Sequence, residues 1–386
     1  MERLYQILFA LLRKELCGEA FSTDLHSVSA EQYEALYRIA NAHDLAHIVG
    51  DALYSLNIEV GEETKARFQK KQILAVYRYS QMSYELQQIC AAFEKAQIPF
   101  MPLKGSVIRK YYEKPEMRTS CDIDIYVKEK DLEKATAVLV NSLGYSLGIK
   151  NIYDVSLNSS NGVHIELHFA LTEQDERVEK VFENIWETSR TSEGAEYHYL
   201  MRNEYFTSYH IYHASKHFTS GGCGIRPFMD LWIAKNKMGY DLDAVKAILE
   251  KCNLTSFGDA ILHLSDVWFS NAKHTELTRE MEEYIIGAGT YGTLENKVAI
   301  SSQKQGGRFK YLIKRIFMSY SALKRYYPNL DKYPVLYPYY TIVRWFRVLF
   351  DKQSKDRAFS ELKYNMEVSS ARKNKLSDLL MRLDLQ

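Results

Sequence analysis

The sequence predicts an α+β fold: a small mixed β-sheet core set between N-terminal and C-terminal helical regions. Three observations carry this. The first 98 residues contain no proline and place apolar residues at helical spacing. Between Pro99 and Phe169 the apolar period falls from near 3.6 to 2 in two stretches. After residue 205 helical spacing returns. At 386 residues the chain is too long for one ordinary core. The changes of period divide it into 1–95, 96–205, 206–305 and a basic, Tyr-rich helical tail, 306–386.

Each element has a local reason. "MERLYQILFALLRKELCGEA" aligns Leu4, Leu8, Leu11 and Leu12 on one helical stripe. Its apolar run, Ile7 to Leu12, is short and leads into Arg13, Lys14 and Glu15 with no signal-peptide cleavage pattern. "SAEQYEALYRIANAHDLAHIVGDAL" starts on a capping box, Ser29 with Gln32. "GEETKARFQKKQILAVYRYSQMSYELQQICAAFEKAQ" is a long amphipathic helix that must end by Ile98, because Pro99 drives the preceding residue out of the helical region. "PFMPLKG" is extended, "SVIRKYYEK" is helical, "CDIDIYV" is a strand and "EKDLEKATAVLVNSLGY" is a helix stopping near Gly144. "YDVSLNSSNGVHIELHF" is a hairpin turning at Asn161-Gly162. Two helices follow, "NEYFTSYHIYHASKHF" and "IRPFMDLWIAKNKM", the second with Pro227 near its start. In "RYYPNLDKYPVLYPYY" the prolines 328, 334 and 338 are expected to bar regular structure.

Composition narrows the class. The chain is 46% hydrophobic with a net charge of +1, and no segment reaches the ~18–20 apolar residues needed to cross a bilayer. A cytoplasmic protein with no membrane partner is expected. Five scattered cysteines without CxxC spacing predict no disulfide partner and no zinc site. Charge is uneven, +10 from Arg308 onward and −9 before it. A basic tail of that kind fits an anionic partner such as RNA, or a basic helical face docked on the acidic part of the chain. Interleaved acids and large apolar residues favour docking.

The chemistry concentrates in the two period-2 stretches. Ile123, Ile125 and Val127 alternate with Asp122, Asp124 and Tyr126, so both carboxylates share one face, roughly 7 Å apart along the strand. Like charges this close call for a cation, and Mg²⁺ is the usual one. In "VHIELHF", His164, Glu166 and His168 share the opposite face from Val163, Ile165, Leu167 and Phe169. If the two strands are neighbours, three carboxylates converge and form a two-metal site for nucleotidyl transfer. Gly105 and Ser106, before the next helix, supply a turn that lets phosphate approach the backbone. The plainer readings are an edge strand with solvent-facing aspartates and an ordinary surface glutamate.

"LKGS" before a helix, then Arg118 with "DIDIYV", then "HIELH", resembles the polymerase-beta-type nucleotidyltransferase superfamily. Within it the chain is similar to a largely uncharacterised bacterial family with an "LKG…DIDLLV…ELH" core. The resemblance implies that Asp122, Asp124 and Glu166 hold two Mg²⁺ ions, with Mn²⁺ as the alternative, and that Glu166 assists proton removal from the acceptor. It implies that Gly105 and Ser106 grip the β- and γ-phosphates of an NTP donor; Lys104, beside that turn, and Lys216, on the later helix, are expected as further nucleotide contacts. A nucleoside monophosphate would then pass to an acceptor hydroxyl on a small molecule, a protein or an RNA, with release of pyrophosphate. The 15 residues between Ser106 and Asp122 exceed the compact form of the motif, which leaves Arg109 and Lys110 without assigned roles. Two other functions compete: an inactive nucleotide- or partner-binding module of the same fold, and an RNA-binding protein acting through its tail.

The remaining features have readings of both kinds. His164 and His168 are expected to be pocket-wall hydrogen-bonders, and Lys104 and Arg118 either hold phosphate or neutralise carboxylates. His210, His213 and His217 lie on one helical stripe but lack the glutamate of an HExxH motif. Arg226 and Asp230, at i,i+4, fit a structural ion pair or a nucleotide contact. "GGCG" at 221–224 follows no strand and carries no nucleotide fingerprint.

Overall fold

The two alternating stretches and their flanks fold as five strands, β1 (Phe100–Pro102), β2 (Asp122–Val127), β3 (Ser146–Lys150), β4 (Asp154–Asn158) and β5 (His164–His168). Their order in space is β1-β2-β5-β4-β3. β2 and β5 run parallel, and every other neighbouring pair is antiparallel. This is a mixed α+β fold, consistent with a nucleotidyltransferase core. The computed structural model describes the chain except residues 1, 26, 173–174, 291, 305–309, 311–312, 315, 325, 328, 353–354, 357–359, 361–362 and 365–369.

The helices that precede and interrupt the sheet are α1 (Glu2–Cys17), α2 (Ala30–Ala42), α3 (Ala46–Ser55), α4 (Glu62–Lys95), α5 (Gly105–Ile108) and α6 (Leu132–Asn141). α2 starts on the expected capping box: Ser29 Oγ accepts from the Gln32 amide and Gln32 Oε1 from the Ser29 amide. α4 ends at Lys95, a little before the proline, with Gln97 in the left-handed region at φ +54°. After the sheet come α7 (Glu176–Phe182), α8 (Ile185–Thr188), α9 (Asn203–Thr219), α10 (Arg226–Ile233), α11 (Leu242–Lys251), α12 (Thr255–Phe269), α13 (Glu276–Ile286) and α14 (Leu294–Lys304). Among the described residues no helix is long and apolar enough to cross a membrane, and no disulfide joins the five cysteines.

The chain forms two compact units, Met1–His213 with Ile225–Arg279, and Ala214–Gly224 with Glu280–Gln386. In the first, one sheet face is the core. Ile123, Ile125 and Val127 of β2 and Ile165 and Leu167 of β5 pack with Ile89 and Phe93 of α4 and Leu132 and Leu139 of α6. Each such side chain stabilises by about 1.5–3 kcal/mol on full burial. That burial locks the register, since a one-residue slip would turn the carboxylates into the core. The hairpin β4–β5 is as expected, with a loop of 159–163 and Gly162 at φ +79°. Its tip is tied to α4 through Glu85, buried in mid-helix, which accepts from Asn161 Nδ2 at 3.0 Å and from the Tyr145 hydroxyl.

In the second unit, the "GGCG" loop is a packing device. Gly222 has φ +136°, and a Cβ there would lie 2.3 Å from the Ala288 Cβ. The helix Ser370–Arg382 places Arg372, Lys375 and Arg382 at 2.9, 2.7 and 3.0 Å from Glu295, Glu283 and Glu280. This part of the basic tail is therefore docked on acidic side chains. The prolines behave differently from expectation: Pro334 begins a 3₁₀ turn and Pro338 sits in the first turn of a helix, Tyr337–Phe350. A first-turn amide has no intrahelical partner, so proline costs nothing there. Pro328 lies outside the described residues.

Candidate active site

The sheet face opposite the core carries the site. In the parallel pair, Asp122 is the register partner of His164, Asp124 of Glu166 and Tyr126 of His168. The three expected carboxylates therefore lie on one face of two adjacent strands. Asp124 is the deepest, only 3% exposed, while Asp122 and Glu166 are half-buried.

The carboxylates differ in what they already hold. Asp124 Oδ1 accepts from Lys104 Nζ at 2.8 Å and from His168 Nε2 at 2.8 Å. Burial alone would raise its pKa, but Lys104 and His168 outweigh it and hold it well below the usual carboxylate range. Lys104 is raised for the reciprocal reason: burial opposes its charge, and Asp124 prevails. Burial likewise disfavours charge on His168, yet its contacts with Asp124 and Glu166 push it up to about 9. Among the described residues the Asp122 side chain makes no hydrogen bond or ion pair, and burial and the neighbouring Asp124 push its pKa up to about 6. A half-buried carboxylate whose side chain has no partner fits a cation.

One ligand atom each from Asp124, Glu166 and His168 lies within 4.8 Å of the others, which among the described residues is the one group of three able to share an ion. His168 was expected on this face as a hydrogen-bonder and is one, 2.8 Å from Asp124 and 3.4 Å from Glu166 Oε2. His164 lies 3.8 Å from Glu166 Oε1 and also contacts Asn158 Oδ1 at 3.1 Å. His210, His213 and His217 form no such group.

Lys104 reaches Asp124 from a strained backbone. Its φ of +48° and ψ of −122° are rare for a residue with a Cβ and cost of the order of 1–3 kcal/mol. The Leu103 amide donates to the Asp124 carbonyl at 3.0 Å, which ties the turn to β2. The following α5 is a single turn of four residues, Gly105–Ile108, too short for a helix dipole of its own. The Ser106 and Val107 amides are already used on the Leu103 and Lys104 carbonyls. Gly105 matters for another reason: a Cβ there would meet Arg118 Nη1 at 3.4 Å and Arg109 Nη2 at 3.5 Å. Two guanidinium groups thus close on the Gly105-Ser106 turn. Arg109 donates to the Gly105 carbonyl and to Ser120 Oγ, and burial together with Arg118 lowers its pKa to about 10.

A second buried cluster braces the turn. Arg118 Nε lies 2.8 Å from Asp230 Oδ1, which also accepts from the Tyr112 hydroxyl at 2.7 Å, and His210 Nε2 is 3.4 Å from Asp230 Oδ2. Arg118 therefore neutralises a carboxylate, but that of Asp230. Arg226 does not pair with Asp230 as its i,i+4 spacing suggested. It donates to the Thr119 carbonyl at 2.6 Å and lies 3.7 Å from Asp44. Lys216 belongs to the second unit, on the part of α9 beyond His213, and is half-buried.

Neither the curated proteins nor the solved structures include a match to the chain. The profile of a family described as uncharacterised nucleotidyltransferase matches residues 29–270, a span that contains every element of the sheet and the Asp230 cluster. The chain belongs to this nucleotidyltransferase family.

Proposed function

We propose that the protein transfers a nucleoside monophosphate from an NTP to an acceptor hydroxyl, releasing pyrophosphate. The observation that carries this reading is the register pairing of Asp124 with Glu166, which puts three carboxylates on one sheet face beside the Gly105-Ser106 turn. Their hard oxygens suit Mg²⁺ or Mn²⁺, and the partnerless Asp122 fits such an ion.

The residues divide the work. Asp124 and Glu166 would hold a divalent ion together with Asp122, which lies on the same face but outside the group whose ligand atoms are within 4.8 Å of one another, and that ion when bound supplies charge neutralisation at the triphosphate. The Ser106 hydroxyl, which makes no hydrogen bond among the described residues, would bind phosphate at the turn, while Gly105 gives the Arg118 and Arg109 guanidinium groups room to close on it. Arg109 adds positive charge behind the turn, where Arg118 is already paired with Asp230. Glu166, more exposed than Asp124, accepts the acceptor's proton. The acceptor oxygen then bonds to the α-phosphorus as the α–β bridging P–O bond breaks, and pyrophosphate carries away the electron pair.

Incubation with each NTP labelled in turn at the α- and γ-phosphate, together with cellular small molecules, RNA and protein, tests this. The expected result is transfer of α-label alone, abolished in Asp122→Asn. Transfer of γ-label would make the protein a phosphotransferase and overturn the reading.

A further inference from the structure

Asp124 is fully occupied on one side by the protein itself. A carboxylate oxygen has two lone pairs, and Oδ1 gives one to Lys104 Nζ and one to His168 Nε2, each at 2.8 Å. Only Oδ2 is left to reach an ion. The occupancy is built in: the Lys104 side chain is only 14% exposed, and its backbone is held at a positive φ. The turn that carries it is itself hydrogen-bonded to β2 through the Asp124 carbonyl.

We infer that the Lys104 ammonium stands in for one of the two divalent ions expected at this carboxylate set, so that the site takes a single ion. The inference rests on the reading under Proposed function. Three bare carboxylates bridging two ions need most of their six oxygens as ligands. Here one oxygen is spent on fixed donors, and Lys104 supplies at Asp124 the positive charge that a second ion would bring. Asp122, whose side chain has no partner among the described residues, and Glu166, the half-buried register partner of Asp124, are left with Asp124 Oδ2 for one ion. Lys104 is a positioned cation that sets metal stoichiometry.

The test counts Mn²⁺ bound per chain by equilibrium dialysis, with Mn²⁺ alone and with the α,β-methylene analogue of each NTP. Wild type should bind one ion, Lys104→Met two, and Lys104→Arg, which keeps the charge, one. Two ions in wild type would overturn the inference and leave the nucleotidyltransferase reading standing. One ion in both wild type and a folded Lys104→Met would also overturn it, because Lys104 would then not be what limits the count. No bound Mn²⁺ in any protein, with or without nucleotide, would overturn both. If Lys104→Met fails to fold, Lys104→Gln takes its place, and the wild-type count still decides against the inference if it is two.

Discussion

Asp124 of β2 and Glu166 of β5 are register partners in the one parallel strand pair of the sheet. The pairing gives the two carboxylates a shared face, and the apolar side chains between them fix it from the other side. The site is therefore a by-product of core packing. Whatever holds Ile123, Ile125, Ile165 and Leu167 in place also holds the acids.

The partnerless Asp122 should cost the metal-free protein stability. Its folded pKa, about 6, is above its ordinary 3.8, so the ionised form present at neutral pH is disfavoured in the folded state by on the order of 1–3 kcal/mol. Asp122→Asn is expected to raise the melting temperature of metal-free protein while removing any stabilisation by Mg²⁺. Asp124→Asn should do the opposite, because it leaves the buried Lys104 ammonium unpaired, at a cost of about 3–5 kcal/mol. Urea unfolding of the two variants in EDTA checks both signs, and equal shifts in the same direction would contradict the assignment.

Asp230 is expected to matter for folding. It is 1% exposed and gathers Arg118, Tyr112 and His210 from distant parts of the sequence. Asp230→Ala leaves a buried guanidinium without its carboxylate, which costs about 3–5 kcal/mol. Arg118→Met with Asp230→Leu should recover much of that loss, since paired apolar replacements often match a buried ion pair. Denaturation midpoints of the single and double variants measure this, and a double variant no better than Asp230→Ala would contradict it.

In Asp122→Asn, which removes the opposing titration of Asp122 below pH 6, stability should peak near pH 6.5 and fall on either side. His47 is lowered below its usual 6.5 by burial, in spite of its contact with the Met117 carbonyl. The unfolded state then binds protons more readily as pH falls below 6.5, and stability is lost in acid. His168 is raised to about 9, so its contribution is complete below 6.5 and disappears as pH rises through 9. Thermal melts across this range, without metal, should show both limbs, with the alkaline one flattened in His168→Gln. An alkaline limb unchanged by that substitution would remove His168 as its cause.

The sheet and its acids were legible because period-2 alternation is a local signal. Ile123, Ile125 and Val127 against Asp122 and Asp124 could be read without knowing what packs on them, and Asn161-Gly162 announced the hairpin. His168 was legible as to face, but its partner was not. The contacts that set the charge state of the site span long sequence separations. Lys104 meets Asp124 through a positive-φ backbone that no residue preference foretells, and Arg118 meets Asp230 across 112 positions. Spacing misled where it was the whole argument. Arg226 and Asp230 look like an i,i+4 pair, yet each is drawn to a partner from the loop before β2. Pro338 looked like a breaker because its place in the first turn of a helix depends on where that helix begins.

The central claim is that Asp122, Asp124 and Glu166 form a metal-dependent nucleotide site, and a thermal-shift titration with each of the four NTPs, with and without Mg²⁺, tests it most directly. Wild type, Asp122→Asn and Glu166→Gln would be run side by side. A nucleotide at ~100 times its dissociation constant should add about 2.7 kcal/mol. The account predicts stabilisation by at least one NTP that requires Mg²⁺ and is lost in both variants. Stabilisation that is independent of Mg²⁺, or that survives both substitutions, would contradict it, as would no response to any NTP.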